Sequence, residues 1–564
     1  MRSADRQRPN PFVGLFFLFL IMVAAFANST IFSVLAPDLI RELQMDQDSV
    51  DLATTIFLAI AAGLLVPMGQ VADLLGRRRL LLIGAVGMIL ASIYGGLATH
   101  GDDIVVARTL QAVAFAMTVT TGVALLNVMF PREEPGPRGI AFGVYAAAAG
   151  IGFALGPLGG GYFSTDLTWR WAFFANVPLF ILVIAGVLWA VPRSEPELGR
   201  DRRSATIDLT GAVLLLATLA SLIFSLDLGR KFGWLVSVRP FAIGDWQWPF
   251  LLSFPAALGI STVLFVSLFL LYEARRRRQT PWILMDFELF RIRRFTLGAL
   301  VGLVFTQATF ALIMVLPIYL QFVLHYDAMA MGQTMISIGL GASIFGVLAA
   351  PLGKQLGARN LVLAGVLVMA AGQLFLIFLL PSVRDGWDMQ LPLLVFGAGF
   401  GMAFARVNDL ALVDVPKEKS GIAGGMLVAF RLVGGAVGIA LLTAVFLSAV
   451  DADSRYDVDA VGGLSASQKQ AVLDTLDTAA RSQPANTSSG HPEGRSIAAV
   501  TLDPELSAGF AALRDSYVTA AQTTLWIGFG LALVATILAL LIPPDPRTRK
   551  MPVGPPLEDP RYRQ

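Results

Sequence analysis

Apolar runs of roughly 18 or more residues recur along the chain with short polar stretches between them, and a run of that length wound into a helix matches the hydrocarbon thickness of a bilayer. The runs predict helices near 12–36, 52–71, 80–99, 104–129, 139–162, 171–191, 208–227, 250–272, 295–322, 331–353, 360–381, 391–414, 421–449 and 519–542, fourteen in all. The first run follows a basic start, and Ala25-Phe26-Ala27 has the form of a signal-peptide cleavage site. It nevertheless continues through Ile31–Ala36 with no polar region before that tripeptide, so it is read as a membrane span.

Composition agrees. Of 564 residues, 55% are hydrophobic and 15% charged, and mean hydropathy is +0.69, outside the range of soluble domains. Most of the 54 glycines fall inside the apolar runs, where small residues let helices approach closely. With no cysteine and three histidines, disulfides, thiolate sites and zinc clusters of the usual spacing are excluded. No metal or cofactor is expected. The formal net charge of +2 is spread over particular loops, which argues against nucleic acid as a partner.

The distribution of the charge gives an orientation. With the N-terminus inside, alternate loops hold about 28 Lys/Arg and the opposite set about 11, and basic loops resist translocation. Arg77-Arg78-Arg79, Arg193–Arg203 and Arg275–Arg294 all fall on the inner side, and an even number of spans brings the basic C-tail there too. Both termini are expected in the cytoplasm, with the chain in the cell membrane.

The runs divide as 6 + 2 + 6: an N-terminal six-helix bundle over 1–192, a two-helix insert with basic loops over 193–290, and a C-terminal bundle over 291–564. A short internal repeat supports the division, Asp73-x-x-Gly76-Arg77-Arg78 after the second span against Lys354-x-x-Gly357-x-Arg359 after the tenth. Parallel repeats are a transporter architecture. The long polar segment 450–518 is expected outside the cell; Ser465 and Gln468 are spaced to open a short amphipathic helix, and Ser482–Gly494 reads as disordered. Arginine far outnumbers lysine, a bias of GC-rich bacterial genomes, so the sequon Asn486-Thr487-Ser488 carries little meaning.

Four motifs carry mechanism. Gly69-x-x-x-Asp73-x-x-Gly76-Arg77-Arg78 follows the second span; its glycines suit a tight turn and close helix approach, and Asp73 suits a latch to an arginine or a helix N-terminus. Arg108 and Gln111 share one face of the fourth span. Gly152-x-x-x-Gly156-Pro157-x-x-Gly160-Gly161 gives the fifth span a small-residue groove, with Pro157 permitting a kink. Trp169-Arg170-Trp171 leads to Asn176-Val177-Pro178.

Together these resemble the Major Facilitator Superfamily, and within it the fourteen-span drug:proton antiporters. The resemblance implies an all-α polytopic membrane fold, a cytoplasmic gate at Gly69, Asp73, Gly76, Arg77 and Arg78, an antiporter motif at Gly152, Gly156, Pro157, Gly160 and Gly161, and a role in proton exchange for Arg108. One departure matters. The opening motif of the family has an aspartate where this chain has Asn28, and an amide cannot exchange a proton.

Among charges in the second half, Arg406 and Asp409 are spaced to pair on the twelfth span, beside Asn408, and Arg431 lies on the thirteenth. An intramembrane carboxylate is a functional hypothesis by default, which makes Asp409 the candidate proton carrier. The substrate cavity is expected between the halves, lined by Asn28, Arg108, Gln111, Gln307, Tyr319 and Asp409.

The expected function is secondary export of amphiphilic or cationic small molecules by alternating access, in exchange for protons, by a monomer surrounded by membrane lipid. Export of a lipid, glycolipid or siderophore is the alternative. A non-transporting membrane regulator on the same scaffold is more remote, and no nucleophile–base pair, metal cluster or phosphate loop suggests an enzyme.

Overall fold

Inside hydrocarbon a backbone has no water to bond, so each apolar run must satisfy its own amides as helix. The computed structural model describes residues 10–130, 135–192, 207–239, 241–243, 246–280, 283–324, 326, 328–416, 419–460 and 504–544. Its helices are α1 (Pro11–Leu43), α2 (Gln47–Leu75), α3 (Arg77–Gly96), α4 (Gly101–Met129), α5 (Pro135–Asp166), α6 (Arg170–Phe174), α7 (Asn176–Ala190), α8 (Leu209–Phe232), α9 (Phe254–Arg276), α10 (Arg293–Phe322), α11 (Ala328–Leu379), α12 (Gln390–Leu412), α13 (Ser420–Ala460) and α14 (Pro504–Leu540). Thirteen described segments are long and apolar enough to cross a bilayer. Of these, α11 supplies two and α6 and α7 together one; α5, at 32 residues, is a further long helix.

Local sequence sets where helices begin. Asn10 caps α1 with Pro11 at its first position, Asp46 caps α2 through the Ser49 amide, and Asp208 and Ser253 cap α8 and α9. Each side-chain oxygen satisfies an amide that the helix cannot. Helix α1 runs unbroken through Ala25–Ala27, and α5 continues past Pro157. Two features differ from the apolar pattern. Helices α13 and α14 extend to Ala460 and from Pro504, so part of the polar segment 450–518 continues these spans as helix; the amphipathic helix expected at Ser465 lies outside the described residues. A small hairpin, Ala242–Ile243 against Trp246–Gln247, joins α8 to α9, with Phe241 stacked on Phe254 at 4.1 Å.

The short internal repeat is a repeat of geometry. Gly76 (φ 92°) and Gly357 (φ 79°) both adopt left-handed backbone that side chains oppose. Two residues on from each, an arginine reaches the last turn of the final helix in its group. Arg78 Nη2 donates to the Leu188 carbonyl at 2.6 Å, and Arg359 Nη2 donates to the Leu540 carbonyl at 2.6 Å. Those carbonyls have no intrahelical donor, and the helix dipole favours a cation there. Gly76→Ala is therefore expected to cost about 1–3 kcal/mol, measured as a fall in Tm of the purified protein; an unchanged Tm would show that the turn relaxes.

One apolar core is drawn from residues 15–191 and another from 301–542. The two groups meet along two seams. At the first, α5 lies between α1 and α11: a Cβ on Gly152 would meet the Val23 carbonyl at 2.7 Å, one on Gly143 the Gly346 carbonyl at 2.2 Å, and one on Gly332 the Leu158 backbone at 2.9 Å. At the second, Ala59, Ala62 and Val66 of α2 share a cluster with Ala429 of α13, covered by Ala212, Leu215 and Leu219 of α8.

The α8–α9 pair is tied down where the basic loops lie. Asp208, fully buried, accepts from the Gly211 amide and from Tyr272 Oη and pairs with Arg276 Nε at 3.2 Å, while its own amide donates to Gln70 of α2. Lys419, just before α13, bonds Asp286 at 2.5 Å and Glu288 at 3.1 Å. The pair thus bridges the two groups of helices.

Candidate functional site

A polar network is buried within the first group of helices. Asn28 of α1 donates from Nδ2 to Gln111 Oε1 of α4 at 3.3 Å. Arg108 Nη1 donates to the same Gln111 oxygen at 3.1 Å and to the Asn28 carbonyl at 3.2 Å. Gln111 Nε2 donates to Ser92 Oγ of α3 at 3.1 Å, and Asn176 Nδ2 of α7 donates to Asn28 Oδ1 at 3.4 Å. Phe32 and Phe57 flank the guanidinium, with centroids 4.6 Å and 4.0 Å from its carbon, so the ring quadrupoles offset part of its desolvation. Asn28, Ile31, Phe32, Leu35, Arg108, Ala172 and Phe173 line a narrow cleft that is closed to water-sized molecules in this conformation.

Three of the expected cavity residues are therefore brought together, but inside one bundle rather than between the halves. Neutral oxygens and aromatic faces surround the charge. Ser92, Asn176, Phe32 and Phe57 belong to this network without having been expected in it. Asn176 carried a signal, a polar residue in the Trp169–Pro178 motif. Phe57 carried none, being one aromatic among many in apolar runs.

The second group holds its charges differently. Arg406 pairs with Asp409 at 3.1 Å and donates from Nε and Nη2 to the Ala349 carbonyl of α11 at 3.2 and 2.9 Å, fitting over Gly353, where a Cβ would meet it at 2.8 Å. Arg431 donates to Asn408 Oδ1 at 3.1 Å, lies over Phe404 at 4.7 Å, packs on Gly302 and is within electrostatic reach of Tyr145 on α5. That cluster does face both groups of helices. Gln307 supports the backbone contact with Gly438 of α13. Tyr319 is buried and donates to the Leu380 carbonyl at 2.8 Å, joining the ends of α10 and α11 inside the second core, apart from the Arg431 cluster.

At the gate motif, Asp73 pairs with Arg77 at 3.4 Å, and Arg77 also donates to the Ala124 carbonyl. Gly76 makes the turn, whereas Gly69 meets only Thr120 at an ordinary 3.8 Å. In the antiporter motif Gly152, Gly156 and Gly160 press on α1, and Gly161 is buried beside them. A carboxylate not among the sequence candidates is Asp227 of α8, which accepts from Thr55 of α2 at 2.8 Å. An aspartate at the edge of an apolar run was the signal available.

Fold and site together define a polytopic α-helical membrane protein of the transporter type. The sequence pattern of the Major Facilitator Superfamily matches residues 17–235 and 228–439, and the chain belongs to that superfamily. It is similar to the "Probable actinorhodin transporter" of Streptomyces coelicolor, 28% identical over 92% of this chain and 89% of the relative. The "Puromycin resistance protein pur8" of Streptomyces alboniger is 31% identical, over 80% of this chain and 85% of that one. The "Multidrug resistance protein Stp" of Mycobacterium tuberculosis is 29% identical over 77% and 74%. In fold the chain is similar to the crystal structure of the human organic anion transporter MFSD10 (TETRAN), with a TM-score of 0.56, 13% identity and coverage of 94% of this chain and 100% of that one.

Proposed function

We propose that the protein is a secondary active exporter that carries amphiphilic small molecules out of the cytoplasm by alternating access, exchanging them for protons. The observation that carries this reading is the repeated latch, Gly76 with Arg78 and Gly357 with Arg359. Two bundles of like construction, 1–192 and 291–564, rock as bodies about glycine-lined seams, while the insert 193–290 bridges them. Substrate passes the Arg431, Asn408 and Tyr145 cluster between the halves. Relatives named for resistance to puromycin and to multiple drugs support efflux. Lys/Arg asymmetry puts the latches and both termini in the cytoplasm of a cell with this protein in its plasma membrane.

Proton exchange is assigned to Asp409. Arg406 binds both Asp409 and the Ala349 carbonyl, so protonating the carboxylate frees it without leaving the guanidinium bare. That division of partners makes an exchangeable carboxylate compatible with a fixed arginine. Inverted vesicles with an acidic lumen are expected to accumulate puromycin, and Asp409→Asn to cut that accumulation at least tenfold while puromycin–puromycin exchange persists. Proton-driven uptake at the wild-type rate in Asp409→Asn would remove Asp409 from the coupling. Uptake of labelled lipid in place of drug would redirect the substrate assignment to lipid export.

A further inference from the structure

We propose that Arg108 is the anion-binding residue of a subsite for planar aromatic carboxylates, so that the transported molecule supplies the negative charge this chain lacks at Asn28. The proposal rests on the export reading and deepens it, adding aromatic acids to the amphiphiles that are carried.

The carrying observation is the state of the guanidinium. Arg108 is 1% exposed, about 10 Å along α4 from its start at 1.5 Å per residue. Its hydrogen bonds leave from Nη1 alone and end on neutral oxygens, while Nε and Nη2 are buried with no hydrogen-bond partner. Those two nitrogens form the side-on edge of the fork, the edge that takes both oxygens of a carboxylate in parallel. A buried guanidinium with three of its five N–H donors unmet is unfavourable, so the site is built for an acceptor.

The carboxylates that sequence proximity would offer are engaged elsewhere. Asp38 is bonded to Arg41 and Ser164, Glu42 to Trp169 and Arg170, and Asp103 to Tyr94 and Thr99. Asn28 offers Arg108 its backbone carbonyl at Nη1, and its side-chain amide donates to Gln111. Aromatic side chains define the shape of the guest. Arg108 lines the cleft with Phe32, Phe173, Ile31 and Leu35, whose apolar walls suit a flat ring once they part. Arg431 repeats the chemistry in the second group, donating to an amide oxygen over a phenylalanine face.

The test uses the full chain purified in detergent, titrated calorimetrically at pH 7 with 2-naphthoate and with its neutral analogue 2-naphthamide. Naphthoate is expected to bind at least tenfold more tightly than naphthamide. Asn28→Asp places a carboxylate in the same cleft as Arg108 and is expected to weaken naphthoate at least tenfold; Arg108→Gln is expected to abolish the preference for the acid. Equal binding of acid and amide by the wild type overturns the proposal. So does unaltered naphthoate binding in a monodisperse Asn28→Asp variant, or a charge preference that survives in Arg108→Gln. No gradient enters these titrations. Charge-selective binding without vesicle transport would sink the export reading alone, and vesicle transport with charge-blind binding would sink the anion site alone.

Discussion

Replacing Gly156 with valine is expected to remove folded protein from the membrane. A Cβ at this position meets Thr30 Oγ1 at 1.9 Å, the Ala27 carbonyl at 2.8 Å and the Ile31 amide at 3.0 Å. Two of these three atoms are backbone of α1, which cannot rotate aside, and Thr30 is itself bonded to the Phe26 and Ala27 carbonyls. In lipid there is little hydrophobic gain from moving helices apart, so association rests on the close packing that valine destroys. Overpacking of this severity costs about 3 kcal/mol or more, and the loss appears as aggregated or absent protein in size-exclusion chromatography of detergent extracts. Gly425→Val is the control, because a Cβ there meets nothing within 4 Å, and it is expected to elute as wild type. A well-folded Gly156→Val protein would show that α5 and α1 can part without loss of the fold.

Gly143→Val is expected to act on transport rather than on folding. Its Cβ would lie 2.2 Å from the Gly346 carbonyl and 2.9 Å from the Val347 amide, a contact between α5 and α11, which belong to different groups of helices. Each group keeps its own core, so the clash can be relieved by parting the seam. A penalty of about 3 kcal/mol against one of two conformers changes their ratio by more than about 100-fold. Vesicle uptake of puromycin is therefore expected to fall at least tenfold with normal amounts of folded protein, and spin labels on α5 and α11 to report a longer separation. Wild-type uptake would mean that this seam need not close during the cycle.

Much of the architecture was legible before any coordinates. The spans, their order and the two arginine-bearing turns follow from apolar length and from glycine and arginine spacing, because hydrocarbon admits few backbones other than helix. Gly76 and Gly357 were readable as matched turns, yet their equivalence became firm only when Arg78 and Arg359 reached the carbonyls of Leu188 and Leu540. Site membership was less legible. Asn28, Arg108 and Gln111 were expected together and are together, but Tyr319 faces the Leu380 carbonyl and Asp227 had been passed over.

Residue identity and spacing alone set the membrane-spanning helical class, the superfamily resemblance and the amide in place of a carboxylate at Asn28. All are one-dimensional properties: run length, charge on alternate loops, residue identity at fixed spacing. Only the tertiary structure decided which polar groups meet. Asn28 finds Asn176 across 148 positions and Arg406 finds the Ala349 carbonyl across 57. Spans apolar on all sides carry no amphipathic stripe to say which face turns inward, so partners are set by small-residue contacts between helices. Those contacts left the Nε–Nη2 edge of Arg108 buried and without a hydrogen bond.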